Sequence, residues 1–99
     1  MEGSVQMMTW MFDQSLNAAC ITCPSVLAGA PILVVTHYDD DHSWAFLDGQ
    51  APDPERAHVV AMSTIVGLHP DVAEIASLPP GWSATRGAID HPWIRSRDD

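Results

Sequence analysis

Three short stretches of this chain hold the residue types that do chemistry. The first is Cys20-Ile21-Thr22-Cys23. Two thiolates at C-x-x-C spacing bind Zn²⁺ or cycle as a dithiol. A structural zinc site takes four ligands, and no second C-x-x-C is present. His37 and His42 would have to complete the set, so a zinc site here means Cys20, Cys23, His37 and His42. The plainer reading makes both cysteines small apolar core residues. A strand over 19–22 supports it, because side chains three positions apart on a strand point to opposite faces.

The second stretch is His37-Tyr38-Asp39-Asp40-Asp41-His42. Carboxylates and imidazoles hold divalent cations, but this run lacks the alternating acids, central glycine and distal glutamate of an EF-hand loop. Three readings stay open: a divalent-cation site, a solvated turn, or an acidic edge that meets a partner through Asp39, Asp40 and Asp41, with Trp44 beside them. The third stretch pairs Trp82 and Arg86 with Trp93 and Arg95. Guanidinium groups stack over indoles. Such a pair clamps an anion or simply stitches the last hairpin to its sheet. Trp82, Arg86 and Trp93 are therefore candidates for partner contact as well as for packing. His58, His69 and His91 stand alone and read as structural. No Gly-rich phosphate loop, G-x-S-x-G or H-E-x-x-H is present.

The elements that would position these side chains follow from local pattern. Residues 18–23 form a short apolar run suited to a strand. Gly29 stops the turn after it. Ile32-Leu33-Val34-Val35-Thr36-His37 is β-branched and contiguous, the clearest strand of the chain. A polar turn over 39–43 joins it to Trp44-Ala45-Phe46-Leu47, which predicts a hairpin. Residues 49–57 are a loop, with Pro52, Asp53 and Pro54 opposing regular structure. A strand over 58–62 comes next. Ile65, Leu68, Val72 and Ile75 recur at helical spacing, which predicts a helix over 64–78. Residues 82–86 and 92–95 read as a final hairpin. The expected fold is α+β: an antiparallel sheet of about five strands with that helix packed on one face. Residues 1–17 read as a flexible extension and 18–96 as the single domain.

Composition narrows the function. The chain has 99 residues, with 13 acids, four arginines and no lysine, for a net charge of −9. So few cations exclude nucleic acid as a partner. Hydrophobic residues make up 46%, too many for a disordered acidic tail. No apolar stretch approaches the roughly 18 residues of a membrane span. The segment before Leu16 has no Lys or Arg, so it lacks the basic start of a secretory signal. A cytoplasmic protein with reduced thiols is expected. So small a domain with no catalytic constellation reads as a binding module and not an enzyme. Its partner would be a protein, basic by charge complementarity. An exposed sheet edge also permits a homodimer.

A family resemblance joins this reading. It is carried by Cys20 and Cys23 on a first strand, Pro31-Ile32-Leu33-Val34-Val35-Thr36-His37, and Trp44-Ala45-Phe46-Leu47-Asp48-Gly49. Pro79-Pro80-Gly81-Trp82-Ser83-Ala84 and Pro92-Trp93-Ile94-Arg95 complete it. From about residue 18 to 95 the chain resembles a group of short bacterial proteins. These are related to a domain-of-unknown-function family, some of whose members are predicted immunity proteins of polymorphic toxin systems. The resemblance implies a protein that binds and occludes a toxin, and it carries no catalytic residues. The alternative expectation is a small zinc-binding domain built on Cys20 and Cys23; otherwise no cofactor is expected.

Overall fold

Short β-branched and aromatic runs, four residues each, build the sheet of this chain. A computed structural model describes residues 12–50 and 54–98. The strands are β1 (Ala19–Thr22), β2 (Val34–His37), β3 (Trp44–Leu47), β4 (His58–Ala61), β5 (Trp82–Thr85) and β6 (Ile94–Arg97). They form one six-stranded sheet in the order β4-β1-β3-β2-β5-β6. Helix α1 (Pro24–Leu27) follows β1, and helix α2 (Met62–Leu68) follows β4. Two 3-10 turns lie at Pro54–Arg56 and Pro70–Ile75. The α+β class holds, but the sheet is mixed, not purely antiparallel. β1 runs parallel to β3, with Ile21 beside Ala45 and Thr22 beside Phe46. The reason lies in the connection after β1. Helix α1 and residues 28–33 carry the chain past one strand position, and the β2–β3 hairpin folds β3 back into that gap. All other pairs are antiparallel.

The single helix expected over 64–78 is broken in two. Pro70 has no N–H to donate and disfavours α-helical backbone in the residue before it. His69 accordingly has φ −134° and ψ 75°. Helix α2 ends at Leu68, and the chain restarts as the 3-10 turn Pro70–Ile75. His69 is buried at this break, and its Nε2 donates to the Val26 carbonyl at 2.9 Å. That bond ties the break to α1. Gly29 closes α1 with a φ of +109°, a conformation costly to any residue with a Cβ.

Every helix covers the same face of the sheet. Strand side chains alternate between faces, and one parity is buried: Cys20, Thr22, Val35, His37, Trp44, Phe46 and Ala84. Val26, Ile32, Met62, Ile65, Val66, Val72, Ile75 and Leu78 pack on them in one core. Each fully buried Leu, Ile, Phe or Met contributes about 1.5–3 kcal/mol of transfer free energy. Thr22 enters this apolar layer because its hydroxyl donates to the Phe46 carbonyl at 2.7 Å. The opposite face carries Ile21, Val34, Thr36, Leu47, Ser83 and Val59, half-buried or exposed, and the small Ala45, buried between Ile21 and Thr36. No helix among the described residues covers it. None of the described helices is long and apolar enough to cross a membrane.

The proposed extension over 1–17 needs dividing. Residues 1–11 lie outside the described residues. Residues 12–17 belong to the fold: Phe12 is buried, edge-on to Trp44 and Phe46 at centroid distances of 5.0 and 6.1 Å. The Met62 and Ser63 N–H groups donate to the carbonyls of Ala18 and Leu16.

Candidate functional site

The end of the sheet beside the β2–β3 turn gathers most of the chemistry-bearing residues. Pairing of His37 with Trp44 across β2 and β3 puts both rings on the covered face. They stack at 4.0 Å with an interplanar angle of 15°. His37 Nδ1 donates to the Leu78 carbonyl at 2.7 Å; the oxygen can only accept, so Nδ1 holds the hydrogen. Its Nε2 lies 3.0 Å from Asp13 Oδ2, an ion-pair distance without hydrogen-bond alignment. The other oxygen of Asp13 accepts the Trp44 Nε1–H at 2.9 Å. His42 stands 3.9 Å from the same carboxylate, is exposed, and has a positive φ of 58°. Asp13 thus anchors the N-terminal segment to the sheet through a histidine and a tryptophan. Its place in the segment before β1 hid that role from sequence reasoning.

This cluster resembles the Asp–His half of a hydrolytic triad but differs in its free valence. In a triad the carboxylate takes one ring nitrogen and the other faces a nucleophile. Here Nδ1 is committed to Leu78, and Nε2 is buried against Asp13 without a hydrogen bond to it, so the ring does not face the surface. Its chemistry is that of a clasp.

The four residues of the zinc reading are not assembled. Cys20 is buried on the covered face of β1, and burial pushes its thiol up to about 11. Cys23 lies beyond the strand, at the N-cap of α1. Its Sγ is 3.4 Å from Ser25 Oγ, which in turn donates to the Asp48 carboxylate. His37 is committed to the clasp described above. Among the described residues, no three His, Cys, Asp or Glu side chains form a group able to hold a metal ion. The Ser25–Asp48 pair was not legible in the sequence, since 23 positions separate its members.

The partner-contact candidates divide by exposure. Asp39, Asp40 and Asp41 are exposed. Asp41 Oδ1 accepts the Ser43 N–H at 3.0 Å, and Asp40 Oδ1 accepts the Asp41 N–H at 2.9 Å. The Ser43 contacts hold the Asp41 carboxyl below its usual range, so it is ionised at neutral pH. Trp44 is wholly buried and Arg86 nearly so, which corrects the expectation that either meets a partner. Arg86 instead lies 4.1 Å over the Trp93 ring, the guanidinium–indole stack read from the sequence. Trp82 and Trp93 are half-buried against the core.

No family model, curated protein or solved structure matches this chain. The inward chemistry belongs to the fold, and the outward chemistry is acidic. His58 and His91 are exposed, and His69 joins the break after α2 to α1 through the Val26 carbonyl.

Proposed function

We propose that this chain is a cytoplasmic protein-binding module that occludes a basic protein partner, in the manner of a toxin-immunity protein. The observation that carries the proposal is the acidic β2–β3 turn. Asp39, Asp40 and Asp41 face solvent on a hairpin fixed by its own hydrogen bonds, so the charge is displayed on rigid backbone. Rigid display lowers the ordering cost of association. A net charge of −9 adds long-range steering toward a cationic surface. The resemblance of residues 18–95 to proteins related to predicted immunity proteins supports the same role. The burial of His37, with Nδ1 committed to the Leu78 carbonyl, supports a binding role over a catalytic one.

The test is a direct mixture with the product of the reading frame beside its gene. Sedimentation should give a stoichiometric complex whose affinity falls as salt rises. Growth of cells expressing that product should be restored by this chain. Absence of a complex at low salt, or killing unaffected by the chain, refutes the proposal.

A further inference from the structure

The face of the sheet that no helix among the described residues covers carries a groove at the start of β1. Ala19, Cys20, Ile21 and Val59 line it along β1 and β4, and Asp41 and Ser43 line it from the turn before β3. Strand pairing explains the juxtaposition. Ile21 is in register with Val59 on one side and with Ala45 on the other, which brings the turn before β3 to the head of β1. The cavity measures about 260 Å³. That is smaller than the roughly 300–1,000 Å³ of small-molecule and cofactor sites. It suits a single long side chain.

The lining is chemically lopsided. Its floor is apolar, with Val59 70% exposed. Its charge is the Asp41 carboxylate, held in place by the Ser43 N–H. Lysine and arginine match both parts, because each has an apolar stem and a cationic head. Asp39 and Asp40 lie beside Asp41 on the turn and favour a cation over an anion. The neighbouring β4 is a sheet edge, and His58–Ala61 has neither the lysine nor the proline that blunts such edges. A partner strand can run alongside it and point one side chain into the groove.

We infer that this groove seats a lysine or arginine side chain of the basic protein partner, with its stem on Ile21 and Val59 and its head at Asp41. The inference rests on the binding role proposed above and names the surface that performs it.

The probe is a short peptide of alternating lysine and valine, titrated into the ¹⁵N-labelled chain, with a glutamate-for-lysine peptide as control. Amide shifts are expected at Ala19, Ile21, Ser43 and Val59. They should shrink at about 0.5 M salt, where screening acts over only about 4 Å. Asp41→Asn keeps the acceptor for Ser43 and removes the charge; binding should weaken about two- to fivefold. Val59→Ser tests the floor, and an exposed position tolerates it without loss of fold; binding should again weaken. Equal shifts with the glutamate peptide overturn the inference. So do unchanged binding by Asp41→Asn, shifts confined to another surface, or a dimer that buries β4 against a second copy. If the neighbouring gene product binds while these amides stay still, the groove assignment fails and the binding role stands. If neither it nor the peptide binds anywhere, both fail.

Discussion

Replacing Arg86 with alanine should cost a large share of the stability of this domain. Arg86 is only 7% exposed. Its Nε donates to the Ile32 carbonyl at 3.0 Å and its Nη1 to the Ile89 carbonyl at 3.1 Å. Nη2 meets the Asp71 carboxylate, and the guanidinium lies over Trp93. One side chain thus joins the end of β5, the approach to β2, the loop before β6 and the 3-10 turn. Alanine removes the donor from both carbonyls and leaves Asp71 without its counter-ion. Breaking a buried ion pair from one side costs about 3–5 kcal/mol. The Asp71 side chain is 26% exposed, so water compensates part of that loss. The expected cost is then about 3 kcal/mol, against total stabilities of about 5–15 kcal/mol for domains in general. With a urea m-value of about 1.5 kcal/mol/M, the unfolding midpoint should fall by about 2 M. Tryptophan fluorescence reports the transition. Arg86→Lys keeps the charge, but an ammonium cannot reach three separated acceptors as a planar fork does. It should lose about 1–2 kcal/mol, by loss of hydrogen bonds comparable to those. A midpoint moved by less than about 0.5 M in the alanine variant, or a lysine variant equal to wild type, would refute the reasoning.

Two further substitutions probe other parts of the fold. Phe12→Ala should lower stability by about 3–5 kcal/mol, since it empties a site packed edge-on against Trp44 and Phe46. At roughly 4–8 °C per kcal/mol, thermal melting would move by more than about 12 °C. A shift of a few degrees would mean that residues 12–17 only decorate the domain. The Cys20 thiol, pushed up to about 11 from 9.0, makes a pH prediction. The fold favours the neutral thiol, so this contribution is intact below about pH 9 and is lost as pH rises toward 11. Two pKa units correspond to about 2–3 kcal/mol. Cys20→Ala should flatten that alkaline decline, and iodoacetamide should label native protein at Cys23 before Cys20. Equal labelling rates, or an unchanged alkaline decline, would count against the burial argument.

Local signals carried well and long-range ones did not. Val34-Val35-Thr36-His37 and Trp44-Ala45-Phe46-Leu47 are strands, and the polar residues between them form the turn that joins them. The final hairpin is also present, as β5 and β6. The parallel neighbour of β1 was not legible, because nothing in Ala19–Thr22 states which strand will lie beside it. That choice is made by the reach of residues 24–33. The break at His69 was legible in principle: Pro70 opposes one continuous helix over 64–78. The candidate site divides in the same manner. The exposed acids at Asp39–Asp41 follow from the turn alone. The clasp between Asp13 and His37 spans 24 positions of the chain and has no local signature.

The placement of the arginines then changes the meaning of the charge. Arg86 is buried and paired with Asp71, so that pair contributes nothing to the outward field. The full net charge of −9 therefore lies on the remaining, mostly exposed groups. Arg95 is tied to the Glu74 carbonyl and to Ser77 near β6, one edge of the sheet. The opposite end of the order, at β1 and β4, holds the groove and the adjacent acidic turn. The cations do not gather at one end, since Arg95 and Arg97 lie on β6 and Arg56 just before β4. Carboxylates also lie by β5 and β6, with Asp39 against Gly81 and Asp98 bonded to Ser83. Steering draws a cationic partner to the acidic surface in general, and the open apolar floor beside Asp41 selects the groove. Steering and apolar contact then act at the same place, and that coincidence separates a docking surface from an acidic surface in general. Arg95→Glu supplies the measurement: it should leave the peptide contacts at Ile21 and Val59 in place. If the contacts move to β6 instead, steering alone, and not the groove, chooses the site.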